Sequence, residues 1–176
     1  MNTEHGTLEK IDDATARLTF VRELSHPREK VWSAITEPGE LAKWFPTTIE
    51  GDRAPGSPLK FVFPYPDAPV LEGAMLAYDP PSTIEFDWGG QDILRITLVE
   101  IDGGAGTRLT LTDTFGEYAK AARDAGGWHA CLDNLAEVLI GKPARGDRWR
   151  EVSKWYLENF PPDATTALIP DFADQE

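Results

Sequence analysis

Apolar and polar residues alternate in several short segments of the chain, a period of two that is typical of β-strands with one buried face. Within residues 16–24, Leu18, Phe20 and Leu24 alternate with polar side chains. The same alternation recurs in five later segments, at 58–63, 70–78, 82–88, 93–101 and 107–115. Short turns rich in Gly, Pro and Asp separate these segments, so the pattern predicts antiparallel neighbours in a meander.

Elsewhere apolar residues recur every three or four positions, which indicates amphipathic helices. Pro27 begins one short helix, and a second is predicted over residues 40–45, ending before Pro46. The longest helical pattern covers residues 118–141, and a further one covers 147–160. The meander is therefore preceded by two short helices and followed by two longer ones.

Acidic residues outnumber basic residues by 30 to 17, which gives a formal net charge of −13. Phosphate backbones and anionic lipid surfaces are bound mainly through Lys and Arg, so this charge predicts neither nucleic acid nor a membrane as a partner. No stretch approaches the roughly eighteen apolar residues that a membrane span requires.

Length and cysteine content place the chain among ordinary globular proteins. Its 176 residues suit a single domain, and Cys131 is the only cysteine, so no internal disulfide can form. The first residues, MNTEHGTLEKIDD, lack the apolar core of a signal peptide. These features predict a cytoplasmic protein.

Four segments carry a resemblance to a known family: HPREKVWSAITEPGELAKWF, EGDRAPGSPLKFVF, RLTLTDTF and GWHACLDNLAEVL. Over about residues 16–141 the chain resembles the START-like (SRPBCC) superfamily, in the branch similar to the C-terminal domain of the heat-shock-protein ATPase activator. The resemblance implies an α+β helix-grip fold. In that fold a curved seven-stranded antiparallel sheet wraps around a long C-terminal helix, two short helices follow strand 1, and a cavity lies between sheet and helix.

The resemblance also divides the chain into three predicted parts. These are an N-terminal arm (1–15), the helix-grip domain (16–141) and a C-terminal extension (142–176) with a helix near 147–160 and a loose acidic tail. Because the core would be complete by about residue 141, Trp149, Trp155 and Tyr156 are expected on the outside of the domain or against a second copy. If these side chains pack against a second copy, the protein forms a homodimer.

Large apolar side chains are predicted to line the cavity, because strand alternation and helical spacing place them on the facing surfaces. They are Trp44, Phe61, Phe63, Trp88, Leu111 and Trp128. Alternatively, these side chains interlock and leave no space. A dry void of roughly 300 Å³ would cost about 7 kcal/mol, so a large cavity should hold water or a ligand.

Asp113 is the most informative polar residue, because it falls in register with Leu111 and Phe115 on an apolar face. A carboxylate there needs a partner or a raised pKa. Alternatively, Asp113 lies at a strand end, where it reaches solvent or caps the backbone. The end of its strand and the first turns of the long helix should meet, so Asp113 and His129 are predicted to form a pair.

Arg22 likewise interrupts an apolar strand face. Its guanidinium is predicted to bind an acidic group of a ligand or to form an internal ion pair with Asp133 or Glu137. His5, His26 and His129 show no metal-ligand spacing with Cys131, and GGAGTR lacks the Lys–Ser/Thr end of a phosphate loop. Neither a metal nor a cofactor is predicted.

Three functions stay open at the level of sequence. The first is binding of a small apolar or amphipathic molecule, with Asp113, His129 and Arg22 as polar contacts. The second is a polyketide-cyclase-like enzyme that uses Asp113 and His129 as acid and base. The third is a chaperone accessory of the stress response, or another protein-binding module, as the family resemblance implies.

Overall fold

A computed structural model describes residues 5–167. Its strands are β1 (Thr7–Lys10), β2 (Ala16–Leu24), β3 (Thr48–Glu50), β4 (Pro58–Val62), β5 (Leu71–Asp79), β6 (Thr83–Asp87), β7 (Ile93–Ile101) and β8 (Gly106–Phe115). Its helices are α1 (Arg28–Thr36), α2 (Pro38–Leu41), α3 (Ala121–Leu139) and α4 (Arg148–Asn159). Short 3₁₀ turns occupy Asp102–Gly104, Tyr118–Lys120 and Pro162–Ala164.

The eight strands form one sheet in the order β1-β2-β8-β7-β6-β5-β4-β3, and every pairing is antiparallel. β2 pairs with β8 over its full length, with Phe20 opposite Leu111, so the first long strand lies beside the last. Trp128, Leu132 and Leu135 of α3 are buried in the same core as the inward side chains of the sheet. This arrangement confirms the predicted α+β helix-grip fold.

The sheet has eight strands, whereas seven were predicted. β1 lies in the segment assigned to the N-terminal arm and pairs with β2. β3 precedes the meander and pairs with β4. These strands contain only 4 and 3 residues, and most of their side chains are exposed, so they show no detectable alternation.

The second short helix lies earlier than predicted. Pro38 occupies the first turn of α2, where its missing N–H is not needed, so the helix begins at Pro38 and ends at Leu41. The chain continues as a turn, and the Phe45 N–H donates to the Leu41 carbonyl at 2.8 Å. The Trp44 indole donates to the Ala34 carbonyl at 2.8 Å, which fixes this turn against α1.

α4 packs against α3 and is tied to the N-terminal segment. Tyr156 is 0 % exposed, and its hydroxyl accepts a hydrogen bond from the Gly6 N–H at 2.8 Å. The neighbouring Trp155 ring stacks on His5 at 3.7 Å between centroids. Tyr156 is therefore part of the core, and the expectation that it packs outside a finished domain was wrong.

The three predicted parts and the homodimer stay predictions. The acidic tail from residue 168 onward, like residues 1–4, lies outside the described residues. Within residues 5–167, no helix is both long enough and apolar enough to span a bilayer.

Candidate functional site

Aromatic rings from separate elements meet between α3 and the residue that follows β6. The Trp88 ring, just after β6, lies 4.7 Å from the ring of Phe61 on β4 and 5.5 Å from that of Trp128 on α3. The Phe45 ring, after α2, lies 5.4 Å from Trp88 and 5.8 Å from Trp128. These spacings are those of packed aromatic pairs. At this point the rings interlock and leave no space between them, which was the alternative to a lined cavity.

A cleft opens beside these rings, between α3 and the end of the sheet, and is called the mouth cleft below. Its volume is about 470 Å³. Among its lining residues are Phe63, Leu71, Trp88, Asp92, Lys120 and Trp128. The cleft is therefore mainly aromatic and apolar, with charged groups at one side.

A second cleft, called the helix cleft below, lies on the other side of the same α3 turns, against the N-terminal end of α4. Its volume is about 820 Å³. Trp44, Phe63, Tyr65, Arg123 and Trp149 contribute to its walls. The two clefts share the lining residues Pro46, Phe63, Arg123, Gly127 and Cys131.

The predicted apolar site residues divide into two groups. Trp44, Phe63, Trp88 and Trp128 line one or both clefts. Phe61 and Leu111 are buried in the core and line neither cleft.

Asp113 lies behind the mouth cleft, 1 % exposed, and does not reach solvent. The Trp128 indole donates a hydrogen bond to its Oδ2 at 2.9 Å, while its Oδ1 has no hydrogen-bond partner among residues 5–167. Burial, helped by the nearby charge of Asp124, raises the pKa of Asp113 to about 7, although the hydrogen bond from Trp128 opposes the shift. The sequence required a partner or a raised pKa for this carboxylate, and Asp113 has both, a hydrogen bond from Trp128 and a raised pKa.

His129 and Asp113 have different partners, so the predicted pair was wrong. His129 Nδ1 lies 2.8 Å from the Tyr156 hydroxyl oxygen, and its Nε2 lies 3.4 Å from Asp133 Oδ2. Successive residues of a helix point about 100° apart. Trp128 therefore faces Asp113 on β8, whereas His129 faces α4.

Arg22 also belongs to this second, structural network. Its guanidinium lies 3.8 Å from Asp133 Oδ1, and its side chain is 6 % exposed, which is the internal ion pair that the sequence predicted. Asp133 accepts a further hydrogen bond from Arg148 at 2.7 Å. Burial alone would raise the pKa of Asp133, but hydrogen bonds from His129 and Arg148 outweigh burial and lower it. Arg22 and His129 line neither cleft.

A buried lysine in the mouth cleft was missed by the sequence analysis. Lys120 forms ion pairs with Asp92 and, at 3.2 Å, with Asp124. Burial would lower the pKa of Lys120, but the two carboxylates outweigh it and raise the pKa. The spacing of Lys120 and Asp124, four residues apart on a helix, was a detectable signal, whereas nothing in the sequence linked Asp92 to them.

Cys131 lines both clefts and is half-buried. Burial raises the pKa of Cys131 to about 12, so thiolate chemistry is disfavoured. No group of three or more His, Cys, Asp and Glu within residues 5–167 could hold a metal ion.

Comparison with known families gives a clear match. The family model described as activator of Hsp90 ATPase homolog 1-like protein matches residues 25–140. The chain belongs to this family. Membership confirms the START-like assignment made from the sequence, and no curated protein matches the chain at a significant level.

Solved structures share the fold of this family member. A conserved protein of unknown function, EF2215 from Enterococcus faecalis, is 21% identical with a TM-score of 0.70, covering 87% of this chain and 88% of that one. CalU16 from Micromonospora echinospora is 21% identical with a TM-score of 0.69, covering 88% of this chain and 96% of that one. NE0264 from Nitrosomonas europaea is 24% identical with a TM-score of 0.59, covering 74% of this chain and 97% of that one. At these identities the likeness establishes the fold alone.

Proposed function

We propose that this family member binds a small apolar or amphipathic molecule in the mouth cleft. The observation that carries the proposal is the pair of rings, Trp88 and Trp128, that flank an open volume of about 470 Å³. Ligand pockets typically measure roughly 300 to 1,000 Å³ and combine apolar walls with a few polar groups. Both conditions hold here.

The polar side of the cleft supports an amphipathic ligand. Asp92 and Asp124 line the cleft and each forms an ion pair with Lys120, so the three side chains lie in place before any ligand arrives. Behind them, Asp113 keeps Trp128 in position through the indole N–H. A ligand would therefore stack on Trp88 and Trp128 and direct a polar group toward the ion-paired residues.

The enzyme alternative has less support, because Asp113 and His129 bond to different partners and face different elements. The protein-binding alternative rests on the description of the family as similar to an activator of the Hsp90 ATPase. It requires no ligand in the mouth cleft. Binding of a small apolar probe therefore separates it from the proposed function.

The test is a titration with Nile red, a neutral apolar dye whose emission rises in an apolar site. Wild-type protein should bind it saturably, and Trp88→Ala should weaken binding roughly tenfold because an aromatic wall is lost. Trp32→Ala is the matched control, since Trp32 packs on Tyr78 and lines neither cleft. Circular dichroism should show both variants folded.

If wild-type protein gives no saturable rise in emission, the ligand-binding proposal fails and the protein-binding alternative takes its place. If both tryptophan variants lose binding equally, the dye is not bound in the mouth cleft and the proposal also fails.

A further inference from the structure

Gly127 is an unexplained glycine in the middle of α3. Glycine is among the least favourable residues in a helix interior, so its presence usually has a steric or backbone reason. The preceding Gly126 has one, because a Cβ there would lie 2.1 Å from Ser153 Oγ on α4. At Gly127 a Cβ would meet no atom within 4 Å beyond its chain neighbours and the backbone of α3 itself, and its backbone is not in the left-handed region.

Gly127 lies where the two clefts meet. It lines both of them, together with Pro46, Phe63, Arg123 and Cys131. A side chain at position 127 would project into the open space at this junction, since nothing else occupies it. The missing side chain therefore keeps a passage open across α3 from the mouth cleft to the helix cleft.

The two clefts differ in charge. Four cationic side chains line the helix cleft, Lys43, Arg123, Arg145 and Arg150, against one carboxylate, that of Asp147. Arg123 also lines the mouth cleft, where it pairs with Asp124 at 2.9 Å, so Lys43, Arg145 and Arg150 make the difference between the two clefts. In the mouth cleft Lys120 is held between Asp92 and Asp124, so its charge is already matched. An anionic group is therefore better accommodated in the helix cleft, within a protein whose net charge is −13.

Two cations of the helix cleft, Lys43 and Arg145, have exposed partners that a ligand can replace. Lys43 pairs with Glu40 at 2.7 Å, but the two side chains are 53% and 40% exposed. Arg145 pairs with Asp147 at 3.4 Å and with Glu151, and these groups are exposed to a similar degree. Exposed ion pairs contribute little to stability, so a ligand carboxylate can replace such a partner.

We propose that the mouth cleft and the helix cleft form one groove that holds a single elongated amphipathic carboxylate. Its apolar body lies against Trp88 and Trp128, it crosses α3 over Gly127, and its carboxylate lies among the cations of the helix cleft. This inference rests on the proposed function of the mouth cleft and adds the class of ligand and the second half of the site.

The six tryptophans provide a direct readout, because each indole N–H gives one signal in a two-dimensional ¹⁵N NMR spectrum. Trp88 and Trp128 report on the mouth cleft, and Trp44 and Trp149 report on the helix cleft. Trp32 and Trp155 line neither cleft and are internal controls. Substitution of single tryptophans by Phe assigns the signals.

The probes are decanoate at pH 7.5, below its micelle concentration, and the short neutral molecule 1-naphthol. Decanoate should shift the signals of Trp44, Trp88, Trp128 and Trp149 along one common binding curve. 1-Naphthol should shift those of Trp88 and Trp128 alone. Decan-1-ol should bind roughly tenfold more weakly than decanoate, because it lacks a charge for the cations, and Lys43→Gln with Arg145→Gln should remove that difference.

Gly127→Leu tests the passage itself. It should weaken decanoate binding at least roughly tenfold while 1-naphthol still shifts Trp88 and Trp128 saturably, and Gly127→Ala should cause a smaller loss. Gly39→Leu is the matched control, because a Cβ at this α2 glycine also meets nothing within 4 Å and Gly39 lines neither cleft.

The outcomes separate this inference from the function on which it rests. If decanoate shifts Trp88 and Trp128 but not Trp44 and Trp149, the single groove is overturned and the mouth cleft stands. If neither probe shifts Trp88 or Trp128, the proposed function itself fails. If the Trp149 signal moves with protein concentration alone, a second copy occupies the helix cleft and the inference is overturned.

Discussion

Asp113 carries a proton in the folded protein at pH values where the unfolded chain has lost it. Its pKa is raised from 3.8 to about 7, mainly by burial. Between those values the unfolded state binds fewer protons, so the free energy of unfolding falls as pH rises. Asp113→Asn should flatten this decline by about 2–4 kcal/mol between pH 4 and pH 7, measured by urea unfolding across that range.

Asp133→Asn is the control with the opposite sign. The pKa of Asp133 is lowered because hydrogen bonds from His129 and Arg148 outweigh burial. Its stabilising effect is present above the unfolded pKa of 3.8 and is lost as pH falls through the folded value. The decrease in the free energy of unfolding caused by Asp133→Asn should therefore be largest near neutral pH. If the free energies of unfolding of the two variants changed with pH in the same direction relative to wild type, Asp113 would not be a buried neutral acid.

Two adjacent glycines should respond oppositely to alanine. Gly126→Ala places a methyl group 2.1 Å from Ser153 Oγ, so it should destabilise the α3–α4 contact by about 1–3 kcal/mol. Gly127→Ala meets open space and should stabilise the helix by about 0.5–1 kcal/mol. Urea unfolding measures both changes. Equal destabilisation by the two substitutions would mean that Gly127 is also packed.

At the level of elements, α4 should contribute strongly to stability through Tyr156. Tyr156→Ala removes a fully buried ring and its hydrogen bond with Gly6, so it should cost about 3–5 kcal/mol. Leu157→Ala, at the next position and 42% exposed, should change stability by less than about 0.5 kcal/mol. Thermal or urea unfolding compares the two.

A small cost for Tyr156→Ala, with β1 still protected from hydrogen exchange, would support the original view that the core is complete before α4. Loss of protection in Thr7–Lys10 would instead show that Tyr156 holds this strand in place.

Long elements were predictable from the sequence and short ones were not. β2, β7 and β8 have 9 or 10 residues each, enough for alternation to be recognised. β1 and β3 are too short for any pattern, and their pairing depends on neighbours distant in sequence. The start of α2 was misplaced because three apolar residues, Leu41, Trp44 and Phe45, mimic helical spacing across a turn.

Across the whole molecule, the apolar walls of the candidate site were predictable from the sequence, whereas its polar groups and its shape were not. Trp88 and Trp128 were identified from the faces on which they lie, and both flank the mouth cleft. The helix cleft was not predicted, because it is a space between α3, α4 and three loops, and local patterns do not encode such spaces. The separation of His129 from Asp113, by contrast, follows from helical spacing, because the face that carries Trp128, Leu132 and Leu135 leaves the next residue about 100° away.

The bond between the Gly6 N–H and the Tyr156 hydroxyl joins positions 150 residues apart. During synthesis Gly6 leaves the ribosome 150 residues before Tyr156 does. Closing so long a loop has an entropic cost, which the contacts of β1 and α4 with the rest of the domain must offset. While the ribosome translates the segments between them, the β1 edge of the sheet therefore lacks this hydrogen bond, which forms only after α4 has left the exit tunnel.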